Sequence, residues 1–158
     1  MKQFSIELFA TNAHEIVFLH VLSAIIWVGG MIAIRLAVHP TMQSIEDPKI
    51  KLGKTLALMG KFFNIVIPFI ILILLTAIVM VFAMGSSMGI QIKETIWIIM
   101  AANFTWMYYK RRKAQKFFDA GDLLLAKASV ALIPKLLLPL NIVLGIVALW
   151  LGVSLRGL

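Results

Sequence analysis

The sequence predicts an all-α polytopic membrane protein: an antiparallel four-helix transmembrane bundle with both termini on the non-cytoplasmic side. Three observations predict it: an apolar composition, four stretches long enough to span a bilayer, and basic residues confined to two of the three connections. Of 158 residues 61% are hydrophobic and 14% charged. A soluble chain of this size could not hide that apolar surface, so the composition belongs to the membrane class. The net charge of +8 invites a nucleic-acid reading. The basic residues cluster beside apolar spans, however, which is anchoring next to anionic lipid, and no nucleic-acid partner is expected. With no cysteine, disulfides, thiolate metal sites and cysteine nucleophiles are excluded. No cleavable signal peptide is expected, since Lys2 and Glu7 precede an apolar run too long for an h-region.

A helix needs about 20 mostly apolar residues to cross the hydrocarbon core. The chain reads as a single domain over 1–158 with spans at about 15–36, 62–84, 90–109 and 129–155. The first is uncharged from Ile16 to Ile34 and closed by Arg35, His39 and Pro40. Phe62 to Met84 is the second, ended by a Gly85-Ser86-Ser87 turn. The third must include Lys93 and Glu94 to reach full length. In the fourth, Pro134 and Pro139 should bend the first half. The 40–61 stretch reads as the longest polar loop, and Asp119 to Lys127 as a short interfacial lead-in.

Orientation follows from loop charge. Lys49, Lys51, Lys54 and Lys61 lie between spans one and two, and Lys110, Arg111, Arg112, Lys113, Lys116 and Lys127 between three and four. The remaining connection has no basic residue before Lys93. Lysine and arginine collect on the cytoplasmic side, so both basic loops face inward.

Polar residues inside spans are costly and usually face the bundle interior. His20 shares a helix face with Ser23, Ala24, Trp27 and Met31. Small residues beside the imidazole leave room for a flat ligand, and Gly29-Gly30 permits close approach. The alternative is a histidine bonded to a neighbouring helix, with the glycines as packing. His14 and His39 are roughly 37 Å apart along a helix, and His14 and His20 occupy different faces. One chain therefore does not readily supply two histidines to one haem. Either a second ligand type, an open position or a partner's histidine in a homodimer would complete it, with Gly29, Gly30 and Gly145 supporting close helix contacts. Lys93 and Glu94 fall in the same leaflet as His20. The lysine could hold a carboxylate or move protons, or simply snorkel beside the glutamate. Met80, Met84 and Met88, four apart, offer soft thioethers suited to copper(I), with His14 or His20 alongside; the alternative is packing or lipid contact. Trp97, Trp106, Tyr108, Tyr109 and Trp150 fit interfacial belts. No catalytic triad, phosphate-binding loop or zinc motif is visible.

The run His20-Val-Leu-Ser-Ala-Ile-Ile-Trp27-Val-Gly29-Gly30 resembles the first-helix signature of the CopD/HemJ group of small bacterial four-helix membrane proteins. Phe63 to Val81, Lys93 followed by Asn103, and Leu136 to Leu151 are similar to that group's later helices, with alanine at 77 where glycine is usual and Asn141 where a glutamate is often found. The HemJ side of the resemblance implies a haem b-associated protoporphyrinogen IX oxidase, an oxidoreductase whose functional pair would be His20 and Lys93. It implies porphyrin or quinone as small-molecule partners. The CopD side, closer in Trp27-Val-Gly29-Gly30, implies copper uptake across a bacterial inner membrane. The Pro-Arg pairing usual after the HemJ signature is missing here. The leading expectation is a haem b-binding redox protein of the bacterial inner membrane. Its cofactor face would be His20, Ser23, Ala24, Trp27, Gly30, Met31 and Lys93. The alternatives are a copper conduit using His14, His20 and the three methionines, or a cofactor-free assembly subunit.

Overall fold

Apolar side chains dominate the chain, and a backbone surrounded by them must bond within its own segment, which a helix does. The computed structural model describes residues 2–154, and every regular element among them is helical. We number four helices: α1, Gln3–Gln43; α2, Pro48–Met84; α3, Met88–Asp119; and α4, Leu123–Ser154. By length and composition α1, α2 and α4 can each cross a membrane. At 32 residues α3 is long enough. Lys93, Glu94, Asn103 and its threonines and tyrosines dilute its apolar character, and it is not among those three. Met1 and residues 155–158, including the expected end of the fourth span at Leu155, lie outside the described residues.

The helices run further than hydropathy predicts. Residues 48–61, expected as loop, form the first turns of α2. The Asp47 carboxylate accepts from Lys49 N at 2.8 Å and Ile50 N at 2.9 Å, and Pro48 occupies the first turn. Leu52, Leu56 and Met59 then give the new helix a buried stripe. Pro40 does not close α1. A π-helical turn at Ile34–Val38 precedes it, and the helix continues to Gln43. A second π turn at Ile25–Gly29 and a kink at Asn12 (φ −128°, ψ 36°) also mark α1. The expected turn at 85–87 is present. Gly85 has φ 85°, a value that favours glycine, and Ser87 Oγ accepts from Ile90 N at 3.4 Å to start α3. Gly121 (φ 82°) and the Asp122 cap, bonded to Leu125 N at 2.9 Å, turn the chain into α4. Pro134 lies within a π turn at Ile133–Leu137 and Pro139 follows two residues after it, so the first half of that helix is irregular.

Each helix packs on the next, and α4 returns to α1. His20 meets Thr76 and Gly30 meets Phe62, so α1 and α2 run antiparallel. Phe63 with Phe104 and Gly60 with Arg111 join α2 to α3. Asn103 with Asn141 joins α3 to α4, and Val28 with Gly145 closes the ring. The centre is filled by Trp27, Met31, Phe63, Phe104 and Met107. Phe104 takes edge contacts from Trp27 at 6.0 Å and Phe63 at 5.1 Å between centroids. Large apolar residues also cover the outside, with Ile65, Ile71 and Leu75 on α2 all more than half exposed. A helix apolar on all sides is one surrounded by protein and lipid.

Candidate functional site, a polar layer at one end of the bundle

The end of the bundle that carries the Gly85–Ser87 turn is called the upper end here. Near it His20, two turns above the central Trp27, is partly exposed, and its Nδ1 lies 2.8 Å from Thr76 Oγ1 on α2. The threonine hydroxyl has one proton, and it also sits 2.7 Å from Leu72 O and 3.0 Å from Ile73 O. Donation to the α2 backbone is the ordinary use of a threonine in an apolar helix. That leaves a lone pair of Thr76 Oγ1 toward His20 Nδ1, able to accept from its N–H. Thr76 is itself buried.

Lys93 of α3 belongs to the same layer. A methyl group built on Gly152 of α4 would lie 3.3 Å from Lys93 Nζ, so the ammonium rests on the α4 backbone where a larger residue would crowd it. Following the antiparallel contacts from Phe63–Phe104 upward brings Thr76 level with the first turns of α3, where Lys93 lies. Following Val28–Gly145 upward brings His20 level with Gly152. Four helices thus contribute His20, Thr76, Lys93 and Gly152 to one cross-section. Glu94, the next residue, is exposed.

Below this layer the face that carries His20 is occupied by protein. Ser23 is fully buried with its hydroxyl donating to Leu19 O at 2.7 Å; Trp27 and Met31 are buried in the core, and Ala24 packs against it. The Phe62 ring lies over Gly30, so closely that a Cβ there would sit 2.5 Å from it. Gly145 is likewise filled by Val28, whereas Gly29 has nothing within 4 Å. Of the three glycines expected to support contacts with a second copy, two serve packing within the chain.

Two indole N–H groups in this region are buried without a hydrogen-bond partner among the described residues, those of Trp27 and Trp97. Leaving such a donor unmade costs about 1–3 kcal/mol. Trp97 lies one helical turn below Lys93 on the same face of α3. It is partly buried and packs against the core, while Trp106 and Trp150 stand on the exposed surface as expected of interfacial residues. Tyr108 also turns inward, 6.2 Å from Phe63.

The other expected ligands lie elsewhere at the same end. His14 and Met84 share a groove of about 610 Å³ with Phe9, Val17, Phe18 and Val21. Met80, a turn away from Met84, is half-buried, and Met88 is exposed on α3. No group of three or more histidine, cysteine or acidic side chains that could hold a metal ion occurs among the described residues.

Sequence reasoning missed a polar knot at mid-bundle. Asn103 Nδ2 donates to Asn141 Oδ1 at 2.7 Å and Leu137 O at 2.8 Å, and Asn141 Nδ2 donates to Met100 O at 3.1 Å. It also missed Arg111 at the lower end, whose guanidinium lies on Gly60, bonds Leu56 O at 3.0 Å and ties α3 to α2. Two asparagines in facing apolar helices were the available signal for the first. No family model, curated protein or solved structure matches this chain.

Proposed function

We propose that this is a haem b-binding membrane redox protein in which His20 would ligate the haem iron and Lys93 would bind a porphyrin carboxylate. The observation that carries the reading is the His20–Thr76 hydrogen bond in the layer shared with Lys93. A ligating histidine typically donates its other ring N–H to a fixed acceptor, which sets the tautomer and the ring's orientation. Thr76 Oγ1 can be such an acceptor for Nδ1, and Nε2 would then be the ligating nitrogen. Lys93 supplies a cation where the carboxylates of the macrocycle would need one.

The filled face below the layer limits how haem fits. Ser23, Trp27 and Met31 are core residues and Phe62 covers Gly30, so the macrocycle would sit at the level of His20 and enter from the upper end. Bound there, haem would supply one-electron chemistry. The chain itself would orient the imidazole, neutralise a carboxylate and keep water from the lower side. The resemblance to HemJ-type oxidases makes a porphyrinogen the substrate of this reading. On this reading the basic connections favour a cytoplasmic lower end, α3 crosses the membrane along with the three apolar helices, and the polar layer lies in the outer leaflet of a bacterial inner membrane.

A second reading, a copper(I) conduit, draws on a separate observation: the structure brings His14 and Met84 into one groove, with Met80 one turn further along α2. One preparation separates the two. The protein purified in mild detergent from haem- and copper-supplied cells is expected to carry haem b and no stoichiometric copper. Copper without haem would favour the groove, and neither would favour a cofactor-free assembly subunit.

A further inference from the structure

We propose that the Trp97 indole N–H is a ligand-binding donor that shares, with Lys93, a carboxylate of the molecule held beside His20. This rests on the porphyrin reading and adds to it a residue otherwise suited to an interfacial belt. Three observations carry it. Trp97 Nε1 is buried and has no hydrogen-bond partner among the described residues, although its ring packs against the core. Trp97 sits one turn from Lys93 on the same face of α3, and helical side chains lean toward the N-terminal turn, which here is the turn of Lys93. Ser23 and Thr76, the buried hydroxyls near this end, donate to Leu19 O and Leu72 O, and neither accepts from Trp97. An indole donates and never accepts, so the missing group is an acceptor. Beside an ammonium, the acceptor of matching charge is a carboxylate oxygen. Trp27, whose N–H is also unpartnered among the described residues, lies deeper, against Phe104 in the filled core, and is not assigned to the ligand.

The test titrates haem b and its dimethyl ester into the full-length protein in detergent, following the Soret band in wild type, Trp97→Phe and Trp106→Phe. Trp97→Phe keeps an aromatic ring and removes the N–H. It is expected to weaken haem b binding about tenfold, the scale of one hydrogen bond to a charged group. The ester should be affected less than about threefold, because its oxygens carry no charge, and Trp106→Phe should match wild type. If Trp97→Phe does not fold, replacing the indole by benzothiophene at position 97, which exchanges only the N–H for sulfur, gives the same comparison. Equal haem affinity of wild type and the position-97 variant overturns the inference while leaving the haem reading intact. An equal loss for acid and ester overturns the carboxylate assignment. Failure of wild type to bind haem overturns both the inference and the reading beneath it.

Discussion

At the scale of single residues, one hydroxyl holds the His20 ring by its Nδ1. Thr76 was not legible as a site residue, because a threonine that bonds its own backbone passes for an apolar one in a helix. His20 and Lys93 were legible as candidates, since an imidazole and an ammonium inside apolar stretches need a reason to be there. The glycines show the reverse error. In sequence, Gly29, Gly30 and Gly145 look alike; in space, Gly30 is covered by Phe62, Gly145 by Val28, and Gly29 by nothing. Gly145→Ala would place a Cβ 2.6 Å from the short, stiff Val28 side chain. It should cost about 1–3 kcal/mol through overpacking. Gly29→Ala should be neutral or stabilising by up to about 1 kcal/mol through helix propensity. Thermal unfolding in detergent of the two variants beside wild type checks this, and equal stability of the pair would contradict the packing described.

At the scale of elements, the apolar stretches were legible and their limits were not. Hydropathy marks where a chain can meet lipid, whereas a helix ends where a cap or a turn stops it. Asp47-Pro48 and Asp122 were local start signals for α2 and α4, and the first outweighed the lysines that made residues 48–61 look like loop. Pro40 looked like a stop because a proline lacks the N–H that α-helical bonding needs. The π turn at Ile34–Val38 lies just before it, in a helix that continues. α3 is the element in which composition and role diverge. Its polar residues keep it out of the set of plainly apolar helices, yet it supplies Lys93, Trp97, Asn103 and Arg111, the side chains that reach its neighbours. Asn103 and Asn141 bond across α3 and α4, Asn103 donating to Asn141 and Asn141 to the Met100 carbonyl.

At the scale of the whole molecule, apart from the Asn103–Asn141 pair at mid-bundle, the polar groups described above sort to the two ends. Lysines and arginines crowd the lower end, and the histidine–lysine layer with its adjoining groove occupies the upper one. On the proposed orientation the upper end faces outward. The chain has no cysteine, so single-cysteine variants report sidedness cleanly. Ser86→Cys should react with an impermeant maleimide in intact cells, and Ser44→Cys should react only after permeabilisation. The opposite pattern would invert the orientation and move the layer to the cytoplasmic leaflet. The proposed ligation of haem b by His20 is tested most directly by the reduced-minus-oxidised spectrum of purified wild type against His20→Ala. The account predicts a haem b difference spectrum in wild type that is lost in the variant. A wild-type preparation without a Soret band, or a band unchanged by the substitution, would contradict it.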